Sequence, residues 1–166
     1  MVDIGYDLSR VNGAYYEVLS NRFTLREEAE DGAAELEIYF TAQADKQYIR
    51  LLKEHDHILT YTENRKCADG IILEWNLVGS CNRGAKVYII ELKTGIGVNT
   101  WKKVKKQFQG ATFRALAFAS TIGVGPVEQI YYFTAFTEDR QMKKSQDMLE
   151  KQKRITGIAA SKRLWV

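Results

Sequence analysis

The sequence predicts an α/β (α+β) sandwich, a central mixed four-stranded sheet flanked by helices, folded as a single domain over residues 1–166. Three observations carry this. An apolar run of strand formers, Val87-Tyr88-Ile89-Ile90, is followed closely by a long amphipathic stretch starting at Asn99 or Thr100 and ending at Ser120. A second strand-like run, 129–136, comes after it, as expected of a helical crossover between parallel strands. No repeat, low-complexity tract or linker divides the chain, whose only proline is Pro126. One core accounts for that length.

Taken in order, residues 24–30 read as the start of a helix, with Thr24 as its cap and acids in the first turn. Asp31-Gly32 interrupts it, and residues 33–40 can resume it. Residues 44–55 read as a firmer helix, because Tyr48, Leu51 and Leu52 share a face at helical spacing. Three strands follow as an antiparallel meander. The first is 57–63, where Ile58, Thr60 and Thr62 alternate with Leu59 and Tyr61, and Asn64-Arg65-Lys66 is its turn. The second is 68–77, the loop 79–84 follows, and the third is 87–93. In the helix after Gly97, the apolar stripe is Val104, Phe108, Ala111, Ala115 and Phe118. Lys102, Lys103, Lys105 and Lys106 crowd its first two turns, where the helix dipole disfavours positive charge, so a nearby anion would explain them. Residues 123–126 end the helix, 129–136 form the fourth strand, and 140–154 read as a basic amphipathic helix.

Composition narrows the function. The chain is 45% hydrophobic and 27% charged, ordinary for a soluble protein. Its apolar stretches fall short of a membrane span and its first residues lack a signal sequence, so a cytoplasmic location without membrane contact is expected. Cys67 and Cys81 are too few for a zinc motif; flanking a hairpin, they leave two thiols or one cross-strand bridge open. His55-Asp56-His57 falls at a helix–strand junction and reads as solvated rather than as a metal pair. A Gly-rich phosphate loop, a Ser-His-Asp set and a dinucleotide fingerprint are all absent from the sequence. Residues 1–63 carry 6 Lys/Arg and 13 acids, a net −7, while the remainder carries 18 Lys/Arg and 8 acids, a net +10. A cationic half suits a polyanionic partner.

The chemistry concentrates at one strand end. Val87, Ile89, Glu91 and Lys93 point to one side of their strand, so a carboxylate and an ammonium emerge together. Such a pair is either a strand-end salt bridge or part of a site. Asp69, at the start of the preceding strand, lies beside them once the two strands pair antiparallel. Asp69 and Glu91 can then share a hard cation, with the Leu92 carbonyl as a third oxygen; magnesium accepts few protein ligands. Lys93 would orient an attacking water, act on its proton, or balance charge at a phosphate.

Ala68-Asp69, a hairpin, and then Glu91-Leu92-Lys93 resemble the signature of the PD-(D/E)XK nuclease superfamily, with Ala68 where that pattern has proline. The resemblance spans about residues 42–136 and implies a restriction-endonuclease-like core and metal-dependent hydrolysis of phosphodiester bonds in DNA, with RNA a second candidate. It makes Asp69 and Glu91 ligands of Mg2+ or Mn2+ and Lys93 the catalytic lysine. It also suggests Gln107, or its rival Gln109, as a helix glutamine of the site, and a further acid from the first helix: Asp45, or Glu35 or Glu37. Lys102, Lys103, Lys105 and Lys106 would contact backbone phosphates. A homodimer or a component of a larger nucleic-acid-processing or defence complex fits the size. The alternative is a catalytically silent module on the same fold, binding nucleic acid or protein.

Overall fold

A computed structural model describes residues 6–20, 22–28, 35–52, 66–77, 84–139 and 163–165. In chain order the elements are two short 3-10 turns, Leu8–Arg10 and Gly13–Tyr15, then β1 (Tyr16–Leu19), β2 (Arg22–Glu28), β3 (Glu35–Thr41), β4 (Lys46–Leu51), β5 (Gly70–Asn76), β6 (Ala85–Ile96), α1 (Val98–Ile122), β7 (Val127–Asp139) and β8 (Arg163–Trp165). The fold is mixed α/β. Six strands form one mixed sheet in the order β1-β4-β5-β6-β7-β8, and β2 and β3 make a separate antiparallel hairpin. β4, β5 and β6 are an antiparallel meander. β6 then pairs parallel with β7, and α1 makes the crossover between them.

β6 lies inside the sheet and is covered on both faces, so it reads as an almost unbroken apolar run. On one face Val87 and Ile89 pack with Ile71 and Leu73 against Val104, Phe108, Ala111, Ala115 and Ala119 of α1. On the other, Ile72, Ile90 and Leu92 pack against Leu25 of the β2–β3 hairpin, with Phe23 and Phe40 alongside. The Phe23 and Phe40 rings stack 4.7 Å apart. Gly123 ends α1 in the left-handed conformation (φ 75°), and its N–H reaches back to the Ala119 and Ser120 carbonyls.

Three expectations are corrected. Of the stretches 24–30 and 33–40, the described residues 24–28 and 35–40 are not helical; they lie in β2 and β3, paired from Arg22↔Thr41 to Glu28↔Glu35. There Leu36, Ile38 and Phe40 alternate with Glu35, Glu37 and Tyr39, a period of two that acids resembling a helical first turn disguise. Of residues 44–55, the described part, 44–52, contains β4 instead of a helix: Ile49 and Leu51 point to the α1 core and Tyr48 to the hairpin core. Apolar residues on both sides of a strand mimic a helical stripe when the strand lies between two others. Among the described residues the sheet therefore has six strands rather than four, and α1 is the only α-helix against it. The second, third and fourth strands and the long helix fall where the sequence puts them, each a few residues longer or shorter. The strand over 57–63, most of the turn and loop around the hairpin, Cys81, His55-Asp56-His57 and the basic helix over 140–154 lie outside the described residues.

Candidate active site

β5 and β6 bring the acids and the lysine together. Their register ends at Gly70↔Ile90, immediately after Asp69. There the side chain takes over from the backbone ladder, and Asp69 Oδ2 accepts a hydrogen bond from the Leu92 N–H at 2.8 Å. The two strand ends are thus tied by the acid itself. Glu91 points to the α1 side of β6 and is wholly buried. Lys93, next along the same side, forms an ion pair with the Glu91 carboxylate. Its Nζ also donates to the Leu92 carbonyl at 3.0 Å and lies 4.0 Å from Asp69 Oδ2. The side chains of Glu91, Asp69 and Lys93 are 0%, 11% and 23% exposed. A carboxylate so deeply buried is costly without a counter-charge, and Lys93 supplies one.

Gln107 comes from the third turn of α1, where its Nε2 donates to the Cys67 carbonyl at 3.4 Å. It therefore contacts the segment leading to Asp69; Gln109 is exposed. All four lysines, Lys102, Lys103, Lys105 and Lys106, are exposed. At about 100° per residue they do not share a face. Lys103 lies one turn before Gln107 on its stripe, Lys106 a quarter-turn away, and Lys102 and Lys105 point well away from that side.

The acid assigned to a first helix is not brought in. Asp45 immediately precedes β4, and its carbonyl accepts the Leu77 N–H at 2.9 Å, beyond the end of β5 opposite Asp69. The intervening strand spans roughly 20 Å at 3.3 Å per residue. Glu35 and Glu37 belong to the hairpin opposite α1, paired with Glu28 and Arg26. No group of three or more His, Cys, Asp or Glu residues that could hold a metal occurs among the described residues. What the site offers is two carboxylates and a carbonyl gathered around a cationic atom. Those donors are oxygens only, the set a hard divalent ion takes, so the residues present fit magnesium or manganese.

No family model, curated protein or solved structure matches the chain.

Two features escape the sequence reading. Thr134 of β7 is buried in register beside Glu91. Only the crossover reveals this, because nothing in Phe133-Thr134-Ala135 marks the threonine. On the opposite face, buried Glu74 accepts hydrogen bonds from Lys46 Nζ at 2.6 Å and the Tyr88 hydroxyl at 2.7 Å. Burial raises the Glu74 carboxyl pKa, but the Lys46 and Tyr88 hydrogen bonds outweigh it and hold the pKa below its ordinary value. The bond to Glu74 raises Lys46 in turn, and burial pushes the Tyr88 hydroxyl up. Glu74 inside Ile71-Ile72-Leu73-Glu74-Trp75 was the available signal: an acid amid an apolar run needs a partner.

No helix among the described residues is long and apolar enough to cross a membrane.

Proposed function

We propose that this chain is a metal-dependent nuclease hydrolysing phosphodiester bonds of DNA, on a restriction-endonuclease-like core of the PD-(D/E)XK type. One observation carries the reading: the Asp69 and Glu91 carboxylates and the Leu92 carbonyl, from adjoining strand ends, face the single ammonium of Lys93. The order of antiparallel meander, crossover helix and parallel strand supports it.

Asp69, Glu91 and the Leu92 carbonyl would hold magnesium or manganese, whose chemistry when bound is Lewis-acid polarisation of the phosphoryl group. Asp69 also accepts the Leu92 N–H, which fixes the Glu91–Leu92 peptide and ties the two strand ends together. Lys93, the most exposed of the three side chains, would turn to the scissile phosphate or to the proton of the attacking water. Gln107 is a positioning residue that braces the segment before Asp69. Lys103 and Lys106 would contact flanking phosphates.

The test is to incubate plasmid, linear and single-stranded DNA, and RNA, with the protein in magnesium, manganese or chelator. Cleavage that needs metal and falls by about 10²-fold or more in Glu91→Ala and Lys93→Ala is the expected result. Binding without cutting in any metal would replace this reading with a silent nucleic-acid-binding module. That second reading is favoured by one observation, the placement of Asp45 away from the site.

A further inference from the structure

The ammonium of Lys93 faces all three oxygens assigned above to the metal ion. It pairs with the Glu91 carboxylate, donates to the Leu92 carbonyl at 3.0 Å, and lies 4.0 Å from Asp69 Oδ2. We propose that Lys93 is the site's own resident cation, which a divalent ion must displace to enter, so that the lysine sets the metal affinity. This rests on the nuclease reading and adds a regulation of the same site.

Three points carry it. Glu91 is wholly buried, so the metal-free fold needs a positive charge at that position, and the sequence supplies one two residues away on the same side of β6. An ammonium and a divalent ion cannot share the same three oxygens, because at such separations like charges repel strongly in a partly buried setting. The route out belongs to the lysine: its side chain is 23% exposed while that of Glu91 is 0% exposed. When displaced, the long flexible stem of Lys93 carries its charge towards solvent, where a phosphate would arrive. One side chain thus compensates the acids before metal binds and faces the substrate anion afterwards.

Titration calorimetry with Mn2+ on the full chain, beside Lys93→Met and the double variant Lys93→Met/Glu91→Gln, tests this. Lys93→Met should bind Mn2+ about tenfold more tightly or better, since it no longer has a charged hydrogen-bonded partner to break. It should also melt below the parent in chelator and gain more from Mn2+, and adding Glu91→Gln should remove both gains. Equal or weaker Mn2+ binding by a folded Lys93→Met would overturn the displacement and leave the metal site standing. No Mn2+ binding by parent or variant would overturn the metal site itself, and this proposal with it. If Lys93→Met does not fold, site-resolved amine labelling of the parent decides. Lys93 should label faster in Mg2+ than in chelator, and an unchanged rate rules displacement out.

Discussion

Glu74 and Glu91 are buried acids on neighbouring strands, facing opposite sides of one sheet. Glu74 is held by Lys46 and Tyr88 in a hydrogen-bonded set far from Asp69, which is the pattern of a structural charge. Glu74→Gln should cost about 1–3 kcal/mol of unfolding free energy at neutral pH, because Lys46 and Tyr88 lose a charged acceptor. The carboxyl titrates below its ordinary 4.5 in the folded chain, so its stabilisation is full above that pH and disappears as pH falls through the lowered value. Denaturant titrations of parent and variant should therefore converge in acid. On the alkaline side, Lys46 and Tyr88 titrate above their ordinary 10.5 and 10.0, so their share is lost only as pH rises past those values. At this scale the sequence was legible for Asp69, Glu91 and Lys93, because period-two alternation and antiparallel pairing together determine which side chains meet. It was not legible for Thr134 or for the partners of Glu74, whose neighbours come from other strands.

Among the elements, Gly84, immediately before β6, and the turn entering β7 approach unusually closely. A Cβ on Gly84 would lie 2.1 Å from the Pro126 carbonyl oxygen and 2.3 Å from Glu128 Cγ, and Glu128 Oε1 accepts the Gly84 N–H at 3.0 Å. Gly84→Ala must therefore push the β6 and β7 starts apart, and thermal melts should show a loss of roughly 1–3 kcal/mol. Helix α1 was readable because its stripe repeats over many turns. The hairpin of β2 and β3 was not, since short strands rich in Glu carry the residues that also open helices. Which reading wins is decided by packing: Leu25, Phe23 and Phe40 cover the sheet face opposite α1.

Across the whole molecule, charge is divided along the chain, with a net +10 after residue 63. Of the four lysines early in α1, Lys103 lies nearest the Gln107 stripe and Lys106 next, a quarter-turn away. Lys103→Ala/Lys106→Ala should weaken DNA binding and flatten its dependence on salt by about 0.9 in log–log slope for each phosphate no longer neutralised. Lys102→Ala/Lys105→Ala should alter the slope less, and fluorescence anisotropy at several salt concentrations distinguishes the pairs.

The bond from the Leu92 N–H to Asp69 has a consequence for how the chain folds. Asp69, Glu91 and Lys93 all lie within the segment that forms the β5–β6 pair, whereas Thr134 arrives only after the α1 crossover. Shorter loops close at lower entropic cost, so the two acids and the lysine can meet while β7 is still unplaced. Assembling the cluster thus needs only the local β5–β6 closure, whereas its enclosure by the parallel strand needs the longer α1 crossover.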